Sequence, residues 1–155
     1  MNQGADKEEQ MQLLFMLGLT VREAANVELQ LRLIAAQLTE SPHGVLLMAG
    51  ETVTRLVDLC RNLAADSASV SSEQEEELRT LTTECKVAFQ RRDQYVHGAW
   101  AQDGVSGAML TMRSRRNKTE PQFAPMNVED LTDLSHKLNG LANNLTGWLL
   151  KIMAG

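Results

Sequence analysis

The sequence predicts an all-α protein, an antiparallel four-helix bundle with a small β-hairpin or loop between its third and fourth helices. Only 3 prolines and 4% aromatic residues occur in the chain, a composition that favours helix over sheet. Apolar residues also recur at three- and four-residue spacing in four separate segments. The 155 residues, 43% of them apolar, suit a single domain, residues 1–155, with one core.

The first predicted helix covers residues 5–39. Its apolar positions alternate by three and four as in a packed helix, at Leu13, Leu17, Ala24, Val27, Leu31, Ile34 and Leu38. Further apolar residues at Leu14 and Val21 widen this stripe, so more than one neighbour is expected to cover it, which favours dimerisation. We interpret the Met-rich segment from Met11 to Met16 as core, with a partner-binding face as the alternative.

The second and third predicted helices cover residues 50–65 and 73–101. A proline and a glycine within residues 41–44 separate the first helix from the second. Ser72 and Glu75 are spaced as a capping box at the start of the third helix. The apolar stripe of this helix runs into Arg92, and an unpaired buried guanidinium would cost several kcal/mol. The bundle is therefore expected to open at this level, or a ligand or second subunit to supply the counter-charge.

The last part of the chain is predicted to contain a hairpin or ordered loop and the clearest helix. The hairpin covers residues 108–124, after two glycines that break the third helix. The final helix, residues 128–153, begins after Asn127, a favourable N-cap. Its seam repeats like a heptad, at Leu131, Leu134, Leu138, Leu141, Leu145, Trp148 or Leu149, and Ile152.

Charge and targeting signals narrow the function classes. A net charge of −5 argues against indiscriminate coating of nucleic acid, and no DNA partner is expected. The acidic N-terminal segment does not resemble a signal peptide, and the apolar runs are too short to cross a bilayer. We therefore expect a cytoplasmic protein without a membrane partner. Cys60 and Cys85 lack metal-site or redox spacing and suit buried reduced thiols. No metal and no cofactor are predicted.

Residues 91–100 are the stretch with most chemical potential, since they combine cations, a carboxylate, an imidazole and two aromatic rings. At helical spacing Asp93 and His97 share a face, so the carboxylate can orient the imidazole. With Arg92 they could hold an anionic group beside a base that titrates near neutral pH. Arg92 and His97 project about 140° apart around an ideal helix, which favours a site shared between two chains.

The run Arg92-Asp93-Gln94-Tyr95-Val96-His97, followed by Gly98, resembles the signature of the HEPN superfamily. In that family an arginine, a polar residue and three further residues precede the histidine. The resemblance implies a dimeric, metal-independent endoribonuclease of toxin, phage-defence or RNA-processing type. It implies that Arg92, Asp93 and His97 are catalytic, that RNA is the substrate, and that an antitoxin or regulatory protein is a candidate partner. The alternative for this run is a helix end in which Arg92 is a surface ion-pair partner and His97 a capping residue.

One position departs from a branch of that family. Toxins paired with a nucleotidyltransferase antitoxin carry a tyrosine two residues after the histidine, where this chain has Ala99. The departure favours a stand-alone or differently regulated member.

Several other side chains are candidates for RNA contact. The cations Arg91, Arg113, Arg115, Arg116 and Lys118 could follow the RNA backbone. A charged, solvated strand edge is the alternative for those of the hairpin. Tyr95 could stack on a base, with a core position as the alternative.

Two other functions remain open for the chain as a whole. One is a non-catalytic HEPN-like module that binds RNA, a nucleotide or a protein with the same cleft. The other is a purely structural bundle whose seams bind another helix.

Overall fold

Helices form most of the structure, and a small antiparallel sheet completes it. The computed structural model describes residues 3–105, 107–113 and 120–154, with the side chains of all of them except residues 3–6 and 113. These ranges contain α1 (Gln3–Leu38), α2 (Gly44–Leu47), α3 (Val53–Asp66), α4 (Ser72–Val96), β1 (Ala99–Gln102), β2 (Met109–Arg113), β3 (Gln122–Pro125) and α5 (Val128–Ala154). The predicted helical class is therefore confirmed.

The core lies between the four long helices, with α1 and α5 as its most extensive pair. Most residues of the predicted stripes are buried, whereas Leu17 and Ile152 are only partly buried. The largest fully buried side chains include Leu13, Val27, Leu31, Ile34, Leu56, Leu78, Leu134, Leu138, Leu141, Leu145 and Trp148. Removing this much apolar surface from water is the main stabilising contribution to the fold. Cys60 and Cys85 are free and buried, and burial raises the pKa of each thiol to about 12.

The helices do not alternate in direction along the whole chain as predicted. Helix α4 runs opposite to α3, since Arg61 bonds to Thr82 while Lys86 pairs with Asp58. It also runs opposite to α5, where Lys151 pairs with Glu77. Helix α1, by contrast, runs in the same direction as α5. The hydroxyl of Thr20 donates to the Leu131 carbonyl, and further along both helices Leu33 and Leu149 line one groove.

The connection between α1 and α3 accounts for this difference. Instead of reversing direction once, residues 39–52 return along α1, and Arg32 Nε donates to the carbonyl of Met48 at 3.2 Å. Helix α3 therefore starts level with Glu28 and runs alongside α1 in the same direction, with the Cys60 thiol at 3.3 Å from the Leu31 carbonyl. The connection includes the short helix α2. The prediction that the first two long helices pack antiparallel was wrong. The connection is long enough to run back along α1 before α3 begins, so the two helices run in the same direction.

A buried carboxylate lies where α1 meets α5. Glu23 is 3% exposed, pairs with Arg22, and accepts hydrogen bonds from Asn26 at 3.0 Å and Asn139 at 3.4 Å. The hydrogen bond from Arg22 lowers the pKa of Glu23 below its ordinary value, although burial opposes the shift. Since a buried charge requires such partners, Glu23 favours one alignment of the two helices over others.

Two helix starts test the capping predictions. Asn127 Oδ1 accepts from the Asp130 backbone N–H at 2.7 Å, which confirms the N-cap before α5. The capping box of α4 lies one residue earlier than predicted, with Ser71 and Gln74 exchanging hydrogen bonds instead of Ser72 and Glu75. Both pairs fit the same spacing, and only the backbone geometry distinguishes them.

The predicted third helix is too long at its C-terminal end. Helix α4 ends at Val96, and residues 99–101, which were expected to be helical, belong to β1. Strand β1 pairs antiparallel with β2, and β2 with β3, in the order β1-β2-β3. The predicted hairpin corresponds to β2 and β3, so the insertion is a three-stranded sheet. Short strands of this kind depend on their neighbours and leave little signal in local sequence.

The Met-rich segment of α1 is not core. Met11, Leu14 and Phe15 are 64%, 54% and 66% exposed, whereas Leu13 between them is fully buried. Interpretation of the whole segment as core was therefore wrong, because α5 covers only one face of this part of α1. Among the described helices, none is long and apolar enough to span a lipid bilayer.

Candidate functional site

The end of α4 presents Arg92 on the side of the helix that faces the core. Its side chain is 20% exposed, and the guanidinium carbon lies 5.0 Å from the centre of the Phe89 ring, in a cation–π contact. Asp93 Oδ1 accepts from Arg92 Nη1 at 3.1 Å. The Nε atom of Arg92 is buried and has no hydrogen-bond partner among the described residues. Arg92 therefore lies at an opening, as predicted, but its counter-charge comes from Asp93 of the same chain, a source that the prediction did not include.

His97 lies one turn beyond Asp93, at the C-terminal cap of α4. Its backbone N–H donates to the Asp93 carbonyl at 3.1 Å, and its side chain is 58% exposed. Nε2 of His97 is 3.8 Å from Asp93 Oδ1, too far for a hydrogen bond but close enough for attraction once the ring is protonated. Asp93 thus lies between the cation and the imidazole, as the i, i+4 spacing predicted.

These three residues line one cleft of about 630 Å³ within a single chain. Their divergence of about 140° around the helix does not separate them, because Asp93 lies at an intermediate angle and the Arg92 side chain is long. The other residues of the cleft come from α1, α3 and the preceding turn, and α4 itself: Glu28, Thr52, Val53, Thr54, Lys86, Phe89 and Gln90. A second chain is not needed to bring the motif together.

The cleft includes charged residues that the motif does not contain. Lys86, Gln90, Asp93 and His97 follow one another at three- or four-residue spacing, so the same face of α4 could have been recognised from the sequence. Lys86 pairs with Asp58 of α3 at 3.1 Å. Glu28 reaches the cleft from α1, where it pairs with Arg32, and nothing in the local sequence indicates this position.

Gly98 fixes the geometry of the chain immediately after His97. A Cβ atom there would lie 2.5 Å from the Gln94 carbonyl oxygen and 3.0 Å from the Cβ of Thr111 in β2. Only glycine permits this close approach of the sheet to the end of α4. The termination of the helix and the position of His97 at its end therefore depend on Gly98.

We expect Gly98→Ala to lower the free energy of unfolding by about 1–3 kcal/mol, because the nearest obstacle is backbone that has to move. Urea denaturation followed by circular dichroism measures the change. Gly140→Ala is the matched control, since no atom lies within 4 Å of its added Cβ and alanine is the better helix former. Equal stability of Gly98→Ala and wild type would contradict the close packing.

The remaining candidates near the motif are not in the cleft. Tyr95 is 6% exposed and belongs to the core. The alternative interpretation, a core position, is therefore confirmed for Tyr95, and its ring is not exposed for stacking on a base. Burial raises the pKa of the Tyr95 hydroxyl and nearby Asp130 adds to the rise, which Arg91 partly offsets. Arg91 is thus placed beside Tyr95 and does not line the cleft. Trp100 is half-buried and donates from Nε1 to the Tyr95 carbonyl at 3.2 Å.

The candidate cations of the hairpin are mostly beyond the described residues. Arg113 ends β2. Its side chain, together with Arg115, Arg116 and Lys118, lies outside the part of the chain that the structure describes. Their proposed contact with RNA therefore stays a prediction.

The residues described here form no group of three or more His, Cys, Asp or Glu side chains arranged for a metal ion.

The fold and cleft define a mostly helical protein with a cleft that combines arginine, lysine, carboxylates and an accessible imidazole. Comparison with known proteins finds no matching family model, no matching curated protein and no matching solved structure. The chemistry of the cleft is therefore the guide to function.

Proposed function

We propose that this protein is a metal-independent endoribonuclease of toxin or defence type, related to the HEPN superfamily, that cleaves RNA through attack by a ribose 2′-hydroxyl. The observation that carries the proposal is the convergence of Arg92, Asp93 and His97 on one cleft, with the His97 side chain exposed. An imidazole beside a fixed guanidinium suits proton transfer at a phosphate.

In the proposed reaction, His97 takes the proton from the 2′-hydroxyl. The 2′-oxygen then attacks the adjacent phosphorus, and the bond from phosphorus to the 5′-oxygen breaks. Arg92 binds the non-bridging phosphate oxygens, whose charge increases in the transition state. Asp93 holds Arg92 at 3.1 Å and stabilises the protonated imidazole. The products are a 2′,3′-cyclic phosphate and a 5′-hydroxyl.

The departing 5′-oxygen needs a proton from a second group. In the arrangement proposed here, two subunits meet at their clefts, and His97 of the second subunit donates this proton. His97 of one subunit would then act as the general base, and His97 of the other subunit as the general acid. The one-chain cleft supplies the phosphate-binding part and one of the two proton-transfer groups.

The proposal is tested by incubating the purified protein with end-labelled single-stranded and structured RNAs in the presence of a chelator. We expect cleavage products that carry a cyclic phosphate. An RNA with a 2′-deoxy substitution at the mapped site is the control, and it should remain intact at that site. Cleavage of the deoxy substrate, or no cleavage of any RNA across a range of salt concentrations, would reject the mechanism.

A second function is favoured by the charge balance of the cleft. The two cations that line the cleft already have carboxylate partners, Arg92 on Asp93 and Lys86 on Asp58, and the cleft residue Glu28 pairs with Arg32. The chain also carries a net charge of −5. A cleft of this kind suits a non-catalytic module that binds RNA, a nucleotide or a protein partner. Such a module would leave every RNA in the assay above uncut.

The Lys86–Asp58 pair provides a test of RNA binding by the cleft that does not require cleavage. We expect Asp58→Asn, in a His97→Ala background, to strengthen RNA binding up to about fivefold, because Lys86 becomes free to contact a phosphate and exposed pairs are worth about 0.2–1 kcal/mol. The logarithmic salt dependence should steepen by about 0.7 for one added phosphate contact on a single strand. Fluorescence anisotropy at several salt concentrations measures both.

The matched control is Glu77→Gln, which removes the same charge and frees Lys151 at the other end of α4. This variant should bind RNA as the His97→Ala protein does. Lys86→Gln should have the opposite effect to Asp58→Asn. Similar changes for Asp58→Asn and Glu77→Gln would show that overall charge, and not the cleft, governs binding.

A further inference from the structure

The cleft contains a carboxylate that the proposed cleavage reaction does not use. Glu28 reaches the cleft from α1, whereas Lys86, Arg92 and His97 reach it from α4. A site that bound only phosphate groups would be weakened by this carboxylate, because like charges repel. The position of Glu28 therefore indicates a ligand that presents hydrogen-bond donors as well as a phosphate.

Glu28 is held in place from outside the cleft. Arg32 Nη2 donates to Glu28 Oε1 at 2.7 Å, and Arg32 Nε donates to the Met48 carbonyl at 3.2 Å. Both side chains are partly buried, and Arg32 is not among the residues that line the cleft. A carboxylate has about four acceptor positions on its two oxygens, so Glu28 can accept from a ligand while it is bound to Arg32. Because Arg32 already orients the carboxylate, little side-chain freedom is lost when a ligand binds.

The separation of Glu28 from the cations matches the two ends of a guanine nucleotide. The phosphate end accepts hydrogen bonds, which suits Arg92. The Watson–Crick edge of guanine presents two adjacent donors, N1–H and the 2-amino group, and one carboxylate can accept from both. Adenine and cytosine present one amino group beside a ring nitrogen that only accepts, and uracil presents one N–H between two carbonyl oxygens. An acceptor-only carboxylate is therefore more complementary to guanine than to the other three bases.

The rest of the cleft leaves recognition of a base to hydrogen bonds. Phe89 is the one aromatic residue among the described residues that line the cleft, and the Arg92 guanidinium lies 5.0 Å from the centre of its ring. A base cannot stack on the face that Arg92 covers. Thr52, Thr54 and Gln90 supply neutral polar side chains. The volume of about 630 Å³ falls within the range of about 300–1,000 Å³ that is usual for small-ligand sites.

We propose that the cleft binds a guanine nucleotide unit, with its phosphate at Arg92 and the Watson–Crick edge of its base at Glu28. The unit is a guanosine within RNA or a free guanine nucleotide, since both present the same base and a phosphate. The RNA form rests on the proposed function and directs cleavage to phosphates beside guanosines. Glu28 selects the base and takes no part in proton transfer.

The first experiment measures the binding of free nucleotides to the wild-type protein by calorimetry. It compares guanosine, inosine and adenosine monophosphates, because inosine differs from guanosine only by the loss of the 2-amino group. We expect guanosine monophosphate to bind about 5- to 150-fold more tightly than adenosine monophosphate, the discrimination that a good bidentate contact to a base gives. Inosine monophosphate should bind with intermediate affinity.

A substitution of Glu28 assigns this preference to a residue. Glu28→Gln keeps the shape of the side chain but replaces an acceptor oxygen by a donor, so the preference for guanine should be lost. Glu77→Gln is the matched control, because Glu77 pairs with Lys151 at 2.8 Å at the other end of α4 and loses the same charge. Circular dichroism checks the fold of both variants. A preference for guanine that persists in Glu28→Gln, or that disappears equally in Glu77→Gln, would contradict the role of Glu28.

The second experiment distinguishes RNA from a free nucleotide as the ligand. A short single-stranded oligoadenylate, with and without one central guanosine, is bound to His97→Ala protein, which should not cleave it. Tighter binding of the guanosine-containing strand assigns the site to RNA, and a guanine preference among free nucleotides alone assigns it to a free nucleotide.

The two experiments together can overturn the proposal. No preference for guanine in either one would do so, and so would the absence of any binding up to about millimolar concentration, the range of very weak ligands. Guanine binding without RNA cleavage would reject the proposed reaction alone. Cleavage without any preference for guanosine would reject the role of Glu28 alone.

Discussion

Replacing His97 by alanine is expected to lower the rate of RNA cleavage by about 100- to 10,000-fold, the usual contribution of a general acid or base. The folded structure should tolerate the change, because the side chain is 58% exposed. A loss of cleavage without a loss of stability would therefore report on chemistry. Single-turnover cleavage of a labelled RNA, together with urea denaturation, measures both quantities.

Two histidines outside the cleft serve as matched controls. His43 and His136 are exposed, and neither is among the residues that line the cleft. Alanine at either position should leave cleavage unchanged within about twofold, since surface substitutions of this kind rarely alter stability by more than about 0.5 kcal/mol. If His97→Ala cleaved RNA as fast as His136→Ala, His97 would not be a proton-transfer residue.

Substitutions of Arg92 test a second part of the mechanism, the proposed binding of the phosphate oxygens. Arg92→Ala removes a fork of donors, and loss of one such transition-state contact typically costs about 100- to 1,000-fold in rate. Arg92→Lys keeps the charge but not the bidentate geometry, so we expect an intermediate rate. Because Arg92 also packs on Phe89, the stability of both variants has to be measured beside their activity. Full activity of Arg92→Ala would remove the guanidinium from the mechanism.

Trp148→Ala is expected to have the largest effect on stability, a loss of about 3–5 kcal/mol in the free energy of unfolding. Trp148 is fully buried between α5 and its neighbours, and its Nε1 donates to the Gln74 carbonyl in the first turn of α4 at 2.8 Å. Truncation removes the ring from the core and leaves that carbonyl without its indole partner. Since a domain is typically stable by about 5–15 kcal/mol in total, much of the variant could be unfolded near physiological temperature.

A second substitution separates packing from hydrogen bonding at this position. Trp148→Phe keeps an aromatic ring in the core but cannot donate, so its cost should be smaller than that of the alanine variant. Leu150→Ala is the control, because Leu150 is 60% exposed and its truncation should change stability by less than about 0.5 kcal/mol. Urea denaturation with a constant slope would assign the differences to the folded state. Equal stability of Trp148→Ala and Leu150→Ala would contradict the packing seen here.

The candidate site was only partly predictable, and its residues show why. Arg92, Asp93 and His97 were recognisable because their spacing along one helix is a local property, and because a guanidinium on an apolar stripe requires an opening. Lys86 belongs to the same helix face and could have been added by the same reasoning. Glu28 and Thr52 could not, since they reach the cleft through the packing of α1 and α3 against α4.

The fold, like the site, was predictable from the sequence only in part. The sequence by itself determined the long helices, their buried stripes and the N-cap at Asn127, because these depend on residues three or four apart. Tertiary structure alone decided where α4 ends and that residues 99–102 form a strand, because β1 exists only through its pairing with β2 and the close approach at Gly98. It also decided the direction of α1, through the return of residues 39–52, and the exposure of Met11 and Phe15. An apolar stripe indicates that a helix face has a neighbour, but the same pattern serves a neighbour in the same chain or in another one.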